Sequence, residues 1–112
     1  MHLLLVDAIE NVDLRVLQGD VVLDTRVLPA FTIRAQPWSS TATNSVWFQV
    51  NGRTVQKENI EPFALAGDRF GDYYAWSAPA AGAYNITAIP FSRRNGEGIS
   101  GAPVTIQLTL VG

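Results

Sequence analysis

The chain has 112 residues, of which 47% are hydrophobic and 16% are charged, and its formal net charge is −2; this composition is typical of a globular chain long enough for one core. A nucleic-acid-binding protein usually presents a basic face, but the only adjacent basic pair here, Arg93 and Arg94, is interpreted as part of a solvated loop. The absence of cysteine excludes a disulfide framework and a thiolate metal site.

Short apolar runs separated by turn residues occupy the first quarter of the chain. The run that follows His2 is soon interrupted by Asp7, and it lacks the basic start and the cleavage site of a signal peptide, so it is predicted to be neither a leader nor a membrane span. Further on, Val12, Leu14 and Val16 alternate with charged residues, as in a strand with one apolar side. The sequence predicts three strands here, Leu3–Asp7, Val12–Leu17 and Val21–Leu23.

Two clearer strands follow. Residues 30–36 alternate cleanly between apolar and polar. In residues 45–51, Phe48 and its alternate neighbours are predicted to face the core, which turns Trp47 outward.

The rest of the chain begins with a hairpin signal. Asn51-Gly52 predicts a tight turn that leads into an antiparallel strand at Arg53–Glu58. The next segment, Glu58–Trp76, is the least regular and holds several aromatic residues. Alternation then returns in Ala83–Phe91 and Pro103–Val111, which a long Gly-rich loop connects.

These patterns predict an all-β fold. No segment combines a helical period with caps and strong helix formers, whereas at least seven short strands are separated by turns. Alternation leaves each sheet one polar face, which suits antiparallel pairing. We therefore predict a two-sheet antiparallel β-sandwich of the Greek-key, immunoglobulin-like type, with residues 1–112 forming a single domain. The predicted core consists of Phe31, Ile33, Val46, Phe48, Val50, Tyr84, Ile86, Val104, Ile106, Leu108 and Leu110.

Two aromatic residues are predicted to be structural. Tyr84 follows Gly82 at the start of a strand, which is the placement of the tyrosine corner of sandwich folds. Trp76 is predicted to pack at the edge of the core.

The sequence offers little for catalysis, and we expect no enzyme activity. His2 is the only histidine, and no second histidine or nucleophile elbow accompanies it. Asp68 and Asp72 lie in a Gly-rich turn and have the hard oxygen ligands that calcium prefers. Their spacing does not follow an EF-hand, and aspartates also bond to the backbone of their own turn. We expect no cofactor, with calcium at Asp68 and Asp72 as the alternative.

Exposed aromatic side chains are the candidates for a ligand surface, because flat sugar faces stack on indole and phenol rings while polar groups bind the hydroxyls. Trp47 is the first candidate for such a surface, and we expect Gln49 and either Arg34 or Thr32 to lie beside it. Its outward position also suits a contact to a neighbouring module or packing under the Trp38 loop. The predicted ligand-binding residues are Trp47, Gln49, Arg34, Trp38, Tyr73 and Tyr74.

Five segments of the chain resemble one kind of module. They are Ile33-Arg34-Ala35, Asn51-Gly52-Arg53, Glu58–Asp68, Gly71-Asp72-Tyr73 and Gly82–Ser92. Together they resemble an immunoglobulin- or cadherin-like β-sandwich module that is repeated in large secreted and surface proteins of bacteria, often beside carbohydrate-binding domains. The resemblance covers roughly residues 30–111, and Trp47 stands where the pattern usually has a small aliphatic residue.

The resemblance implies a fold and a setting rather than a ligand. It leads us to expect a non-catalytic accessory module of a larger chain, secreted or at the cell surface, with carbohydrate binding as the sharper hypothesis. The alternative is a structural spacer or an adhesion module that makes protein–protein contacts. The expected partners are polysaccharide or neighbouring modules of the same chain, with no nucleic acid and no membrane insertion. A spacer is expected to bury its tryptophans, whereas a sugar binder exposes a coplanar pair.

Overall fold

The computed structural model describes residues 1–39, 42–77 and 80–112. Within these ranges the regular structure is almost entirely β, with one 3-10 turn at Arg94–Gly96, and there is no helix long and apolar enough to cross a membrane. The strands are β1 (His2–Asp7), β2 (Val12–Leu17), β3 (Asp20–Asp24), β4 (Phe31–Gln36), β5 (Ser45–Val50), β6 (Arg53–Glu58), β7 (Phe63–Ala64), β8 (Asp68–Arg69), β9 (Asp72–Tyr73), β10 (Gly82–Phe91) and β11 (Val104–Val111).

Two sheets form the sandwich, as the sequence predicted. The first sheet has the order β2-β1-β4-β7, and the second has the order β3-β11-β10-β5-β6, while β8 and β9 form a separate small hairpin. The chain changes sheet from β2 to β3, from β3 to β4, from β4 to β5, from β6 to β7 and, after the small hairpin, from β7 to β10. Neighbouring strands are antiparallel except for β3 and β11, which are parallel, so the predicted antiparallel pairing holds everywhere but at this edge.

The core lies between the sheets and follows the predicted alternation. Phe48 of β5 and Ile33 of β4 are buried, as are the central alternate residues of β10 and β11, namely Ile86, Ala88, Ile106, Leu108 and Leu110. Burying a large apolar side chain stabilises the fold by about 1.5–3 kcal/mol, so these rows supply most of the driving force. Three predicted core residues, Val50, Tyr84 and Val104, are only half-buried and pack against its margin.

The predicted alternation of β2 is wrong. Leu14 has no partner in β1, because the pairing moves directly from Arg15 to Asp13; such an extra residue is a β-bulge. The bulge breaks the two-residue period within the strand. All three residues of the predicted apolar side are exposed. Leu17 is instead the buried residue of this strand.

Two local predictions are confirmed. Asn51 and Gly52 form the β5–β6 turn with φ angles of 51° and 80°, the left-handed values that a tight hairpin turn needs. The side-chain oxygen of Asn51 also accepts the Asn85 N–H at 2.9 Å, which ties the turn to β10. The Tyr84 hydroxyl donates to the Ala80 carbonyl four residues earlier, which is the bond of a tyrosine corner.

The N terminus and the C terminus of the chain lie at opposite ends of the sandwich. At the end we call the N-terminal end, His2 pairs with Gln36 and Phe91 pairs with Ser45. The C-terminal end contains the β1–β2 turn and the β5–β6 turn, and Gly112 lies there beside the end of β3. The molecule measures 40 × 27 × 20 Å, and the ten residues of β10 span roughly 33 Å, so the strands follow the long dimension.

We predict that Phe48→Ala lowers the free energy of unfolding by about 3–5 kcal/mol, because it leaves a cavity between the sheets. Urea unfolding followed by tryptophan fluorescence measures this loss. Val55→Ala, at an exposed position on β6, is the control and should change the free energy by no more than about 0.5 kcal/mol. Similar losses for the two variants would contradict the central position of Phe48.

Candidate functional site

The six predicted ligand-binding residues do not form one site. Trp47 and Gln49 lie on β5 in the second sheet, whereas Arg34 lies on β4 in the first. Tyr73 lies on β9 and lines a groove with Arg34. Trp38 lines a cleft at the N-terminal end, and Tyr74 is exposed beside Gly67, whose carbonyl accepts its backbone N–H at 3.1 Å.

Trp47 faces outward, as alternation predicted, but its indole is half-buried rather than open. The ammonium of Lys57 lies 4.4 Å from the ring centroid, a cation–π contact, and the Phe91 ring packs at 5.2 Å between centroids. Gly96 is so close that an added Cβ would lie 2.3 Å from Cζ2 of the indole. The indole Nε1 is buried and has no hydrogen-bond partner among the described residues. These contacts leave no open ring face of the kind that sugar stacking needs.

Hydrogen bonds hold the 3-10 turn in place over Trp47. The Ser45 hydroxyl donates to the Arg93 carbonyl at 2.6 Å and accepts the Gly96 N–H at 3.0 Å. Asn59 donates to the Asn95 side chain at 3.0 Å and accepts the Asn95 N–H at 2.7 Å. Residues on β5 and on the segment after β6 therefore hold the Arg94–Gly96 turn in place. The turn packs against the apolar ring of Trp47.

The predicted neighbours of Trp47 are wrong. We expected Arg34 or Thr32 beside it, but β4 belongs to the other sheet. Trp47 pairs with Ile89 on β10 and with Lys57 on β6. Sequence periodicity predicts which side a residue faces, but it does not specify the adjacent strands, and this is why the expected trio does not form.

The groove that contains Arg34 and Tyr73 has a volume of about 380 Å³. The Arg34 guanidinium donates to the Asp13 carboxylate at 2.8 Å and also to the Gln36 side-chain oxygen, so its charge is already balanced within the fold. The Asn11 side chain accepts the Tyr73 N–H at 3.0 Å, and burial raises the pKa of the Tyr73 phenol, which keeps it neutral. The groove is thus a polar network that links the β1–β2 turn to β9.

The two aspartates predicted as an alternative calcium site are bonded within the protein. Asp68 accepts the Gly71 N–H at 2.7 Å, the turn chemistry that the sequence favoured, and Asp72 accepts the Asn11 amide at 3.2 Å. Asp68 pairs with Tyr73 and Asp72 with Arg69, so alternation directs the two carboxylates to opposite faces. In the described ranges no group of three or more metal-ligating side chains occurs.

Sequence reasoning missed Glu58. It pairs with the buried Val46, and its Oε1 is buried without a hydrogen-bond partner in the described part of the chain. Burial raises the pKa of the carboxyl group above its ordinary value of 4.5, and a hydrogen bond from Gln56 does not offset this. The sequence did not reveal this burial, because a regular hairpin from Asn51-Gly52 would pair Glu58 with Ser45. A β-bulge at Val55 shifts the register and brings Glu58 opposite Val46 instead.

A mainly apolar cleft of about 410 Å³ opens at the N-terminal end. Trp38 and Ile99 both line this cleft, and they are 78% and 80% exposed. The His2 ring contacts the Trp38 ring at 4.4 Å between centroids in an edge-to-face arrangement. Several other residues complete the lining, including Met1, Pro37, Pro90, Phe91, Gly101 and Ala102.

Comparison with solved structures identifies a similar fold. The fibronectin(III)-like modules of CbhA from Clostridium thermocellum align over 83% of this chain and 87% of theirs, with a TM-score of 0.52 and 18% sequence identity. Neither a protein-family model nor a curated protein matches the sequence. At this level of identity the likeness concerns the fold: the chain has a fibronectin(III)-like, immunoglobulin-related β-sandwich.

We predict that Gly96→Ala destabilises the protein because the new methyl group would overlap the Trp47 ring. Gly96 has a φ of 69°, so the backbone strain of a left-handed alanine adds about 1–2 kcal/mol. Gly52→Ala is the matched control, since Gly52 has a φ of 80° with nothing near its Cβ position. Overpacking should make the Gly96 variant less stable than the control by about 1–3 kcal/mol. Equal unfolding free energies would show that the turn does not press on Trp47.

We predict that the stability contribution of Glu58 falls as the pH rises. Its pKa is raised in the folded state, so folding favours the protonated form. No cost arises below the unfolded pKa near 4.5, and the cost grows as the pH rises through the folded pKa. The unfolding free energy of Glu58→Gln minus that of wild type should therefore be larger at pH 8 than at pH 4, as measured by urea unfolding.

The control for this measurement is Glu61→Gln, which removes an exposed carboxyl group three residues later. The change in unfolding free energy of Glu61→Gln gives the effect of removing one surface charge. This effect is subtracted from the change measured for Glu58→Gln at the same pH. A Glu58→Gln difference that stays constant from pH 4 to pH 8 would contradict the burial of this carboxylate.

Proposed function

We propose that the chain is a non-catalytic structural module of a larger extracellular bacterial protein, in which it spaces and orients neighbouring parts. The observation that carries this proposal is that two tryptophan side chains pack within the module. Trp47 is covered by Lys57 and the Arg94–Gly96 turn. Trp76 packs between Phe31 and Tyr84, with centroids 6.2 and 5.9 Å away. Two of the three indoles therefore stabilise the module itself.

The arrangement of the chain ends supports a spacing role. The N and C termini emerge at opposite ends of the 40 Å long dimension, so modules of this shape can follow one another in a polypeptide with little change of direction. The similar structure is described as a set of fibronectin(III)-like modules of one protein. This is compatible with the extracellular, multi-module setting that the sequence resemblance implies.

The distribution of titratable groups supports a non-catalytic role. The imidazole of His2 packs against Trp38, and Asp68 and Asp72 stabilise local backbone and turn contacts. The charges of Arg34 and Asp13 balance each other in an ion pair with a 2.8 Å distance between nitrogen and oxygen. General acid–base catalysis needs a positioned group of suitable pKa within reach of a substrate. Glu58 has a raised pKa and lines a cleft together with Glu61 and Asp68, but its Oε1 is itself buried and is not exposed to a substrate in that cleft.

Carbohydrate binding is the second candidate function, and Trp38 is the observation that favours it. Its indole is largely exposed on a concave, mainly apolar surface, which is the shape of a small-ligand site. The hydroxyl groups of Thr43 and Ser92 lie at the same cleft as potential partners for sugar hydroxyls. A coplanar second indole does not accompany Trp38 in the described part of the chain, and this favours the spacer.

We predict that the wild-type chain binds no glycan on a glycan array, since the spacer role requires none. Trp38→Ala tests the second candidate, and Tyr74→Ala serves as the control because Tyr74 is an exposed aromatic residue away from the cleft. Glycan binding that is lost in Trp38→Ala but retained in Tyr74→Ala would replace the spacer proposal with a carbohydrate-binding function.

A further inference from the structure

We infer that the N-terminal end of the module is a docking surface for the C-terminal end of a second copy of this chain joined ahead of it. The inference rests on the proposed spacing function and specifies how it is achieved. We name the two surfaces by their residues. The receiving face consists of Trp38, Phe91, Ile99 and Arg93; the inserting face consists of Ile9, Glu10 and Val27.

The receiving face exposes apolar surface that the module itself leaves uncovered. Trp38 and Ile99 both line the cleft, together with Phe91 and Pro90. Arg93 follows directly in the chain, is exposed, and takes part in no ion pair within the described residues. Arg93 adjoins two residues of the cleft, because it follows Ser92 in the chain and its Cγ lies against Gly98, the residue before Ile99. An apolar concavity with a cation next to it suits an apolar side chain that has an acidic neighbour.

The inserting face presents that combination. Ile9 and Val27 are 65% and 78% exposed, and their loops adjoin because the Ala8 N–H donates to the Ala30 carbonyl at 2.9 Å. Glu10 is exposed next to Ile9 and, like Arg93, forms no ion pair in the part of the chain that is described.

The β1–β2 turn that carries the inserting face is held in a defined shape. The Asp7 carboxylate accepts the N–H groups of Ile9 and Glu10 at 2.8 and 3.0 Å. Ile9 is thus fixed in its exposed position by hydrogen bonds to its own backbone, which reduces the entropy that a contact would cost.

Chain geometry brings these two faces together. Met1 lines the cleft beside Trp38, whereas Gly112 lies at the other end of the sandwich, next to Thr25 and Arg26. A copy joined ahead of Met1 therefore reaches the cleft with its own C-terminal end, where Ile9 and Val27 lie. Because the two faces differ, the contact is heterologous and repeats from one module to the next.

The size of the contact explains why it needs a covalent connection. The contact is limited to one end of a molecule with a 27 × 20 Å cross-section, so we expect it to bury less than the roughly 800 Å² per partner of a standard stable interface. Free copies should therefore associate weakly. Joining two copies raises the effective concentration to the millimolar range for short linkers, and the same small contact then suffices to set their relative orientation.

The experiment is a direct fusion of two copies, Gly112 to Met1, with distances measured between them. The chain contains no cysteine, so a Val55→Cys substitution in each copy provides two unique attachment points for nitroxide labels. Val55 is exposed on β6, away from both faces. Double electron–electron resonance should give one narrow distance distribution, because docking fixes the angle between the copies.

The decisive variants act in one copy only. Ile99→Ser should abolish the narrow distribution when placed in the second copy and leave it unchanged in the first. Ile9→Ser should do the reverse, since only the first copy uses its inserting face. The matched control for each variant is the same substitution placed in the other copy. Melting curves of the single copy confirm that both variants fold. Equal effects in both copies would overturn the inference.

A charge exchange gives an independent test of the contact. Glu10→Lys in the first copy should broaden the distribution, and adding Arg93→Glu in the second copy should restore it. A wild-type fusion with a broad distribution overturns docking while leaving a flexible spacer intact. Glycan binding at Trp38 on the array would instead overturn both the spacer function and the docking inference, so the two failures are distinguishable.

Discussion

The double-sided burial of β5 is the constraint on which the rest of the structure depends. Phe48 on its inner side fills the space between the sheets, while Trp47 on its outer side supports the loop that connects β10 to β11. A strand covered on both faces cannot shift its register without exposing one set of apolar groups. The positions of β6 and β10, which pair with it, follow from this fixed strand.

The same constraint decides how the aromatic residues are used. An outward tryptophan is available to a ligand only if nothing covers it, and here Ser45 and Asn59 anchor a turn that does. The exposed apolar surface is found instead at the ends of the sandwich, around Trp38 and around Ile9 and Val27. The exposed apolar surface that a partner could contact therefore lies at the ends of the module rather than on the flat face of a sheet.

Local periodicity predicted the strands and most of the core because both depend on neighbours along the chain. The turn at Asn51-Gly52 and the corner at Tyr84 were equally predictable, since each needs particular residues at particular spacings. The assembly around Trp47 was not, because Lys57, Phe91 and Gly96 come from three separate segments. The bulge in β2 was missed for a related reason: the amino-acid pattern of Val12–Leu17 is that of an uninterrupted strand, and only the pairing with β1 reveals the extra residue.

The β2 bulge bears on how this module would fold beside a second copy in the tandem arrangement proposed above. Sequence-identical neighbours are the partners most prone to exchange strands or to pair edge to edge while folding. Strand β2 forms the open edge of the first sheet and carries exposed apolar residues, which together make it a template for such misassembly. An unpaired Leu14 distorts the row of backbone donors and acceptors that a foreign strand would need to match. In the tandem arrangement proposed above, the irregularity would therefore protect neighbouring copies against cross-folding.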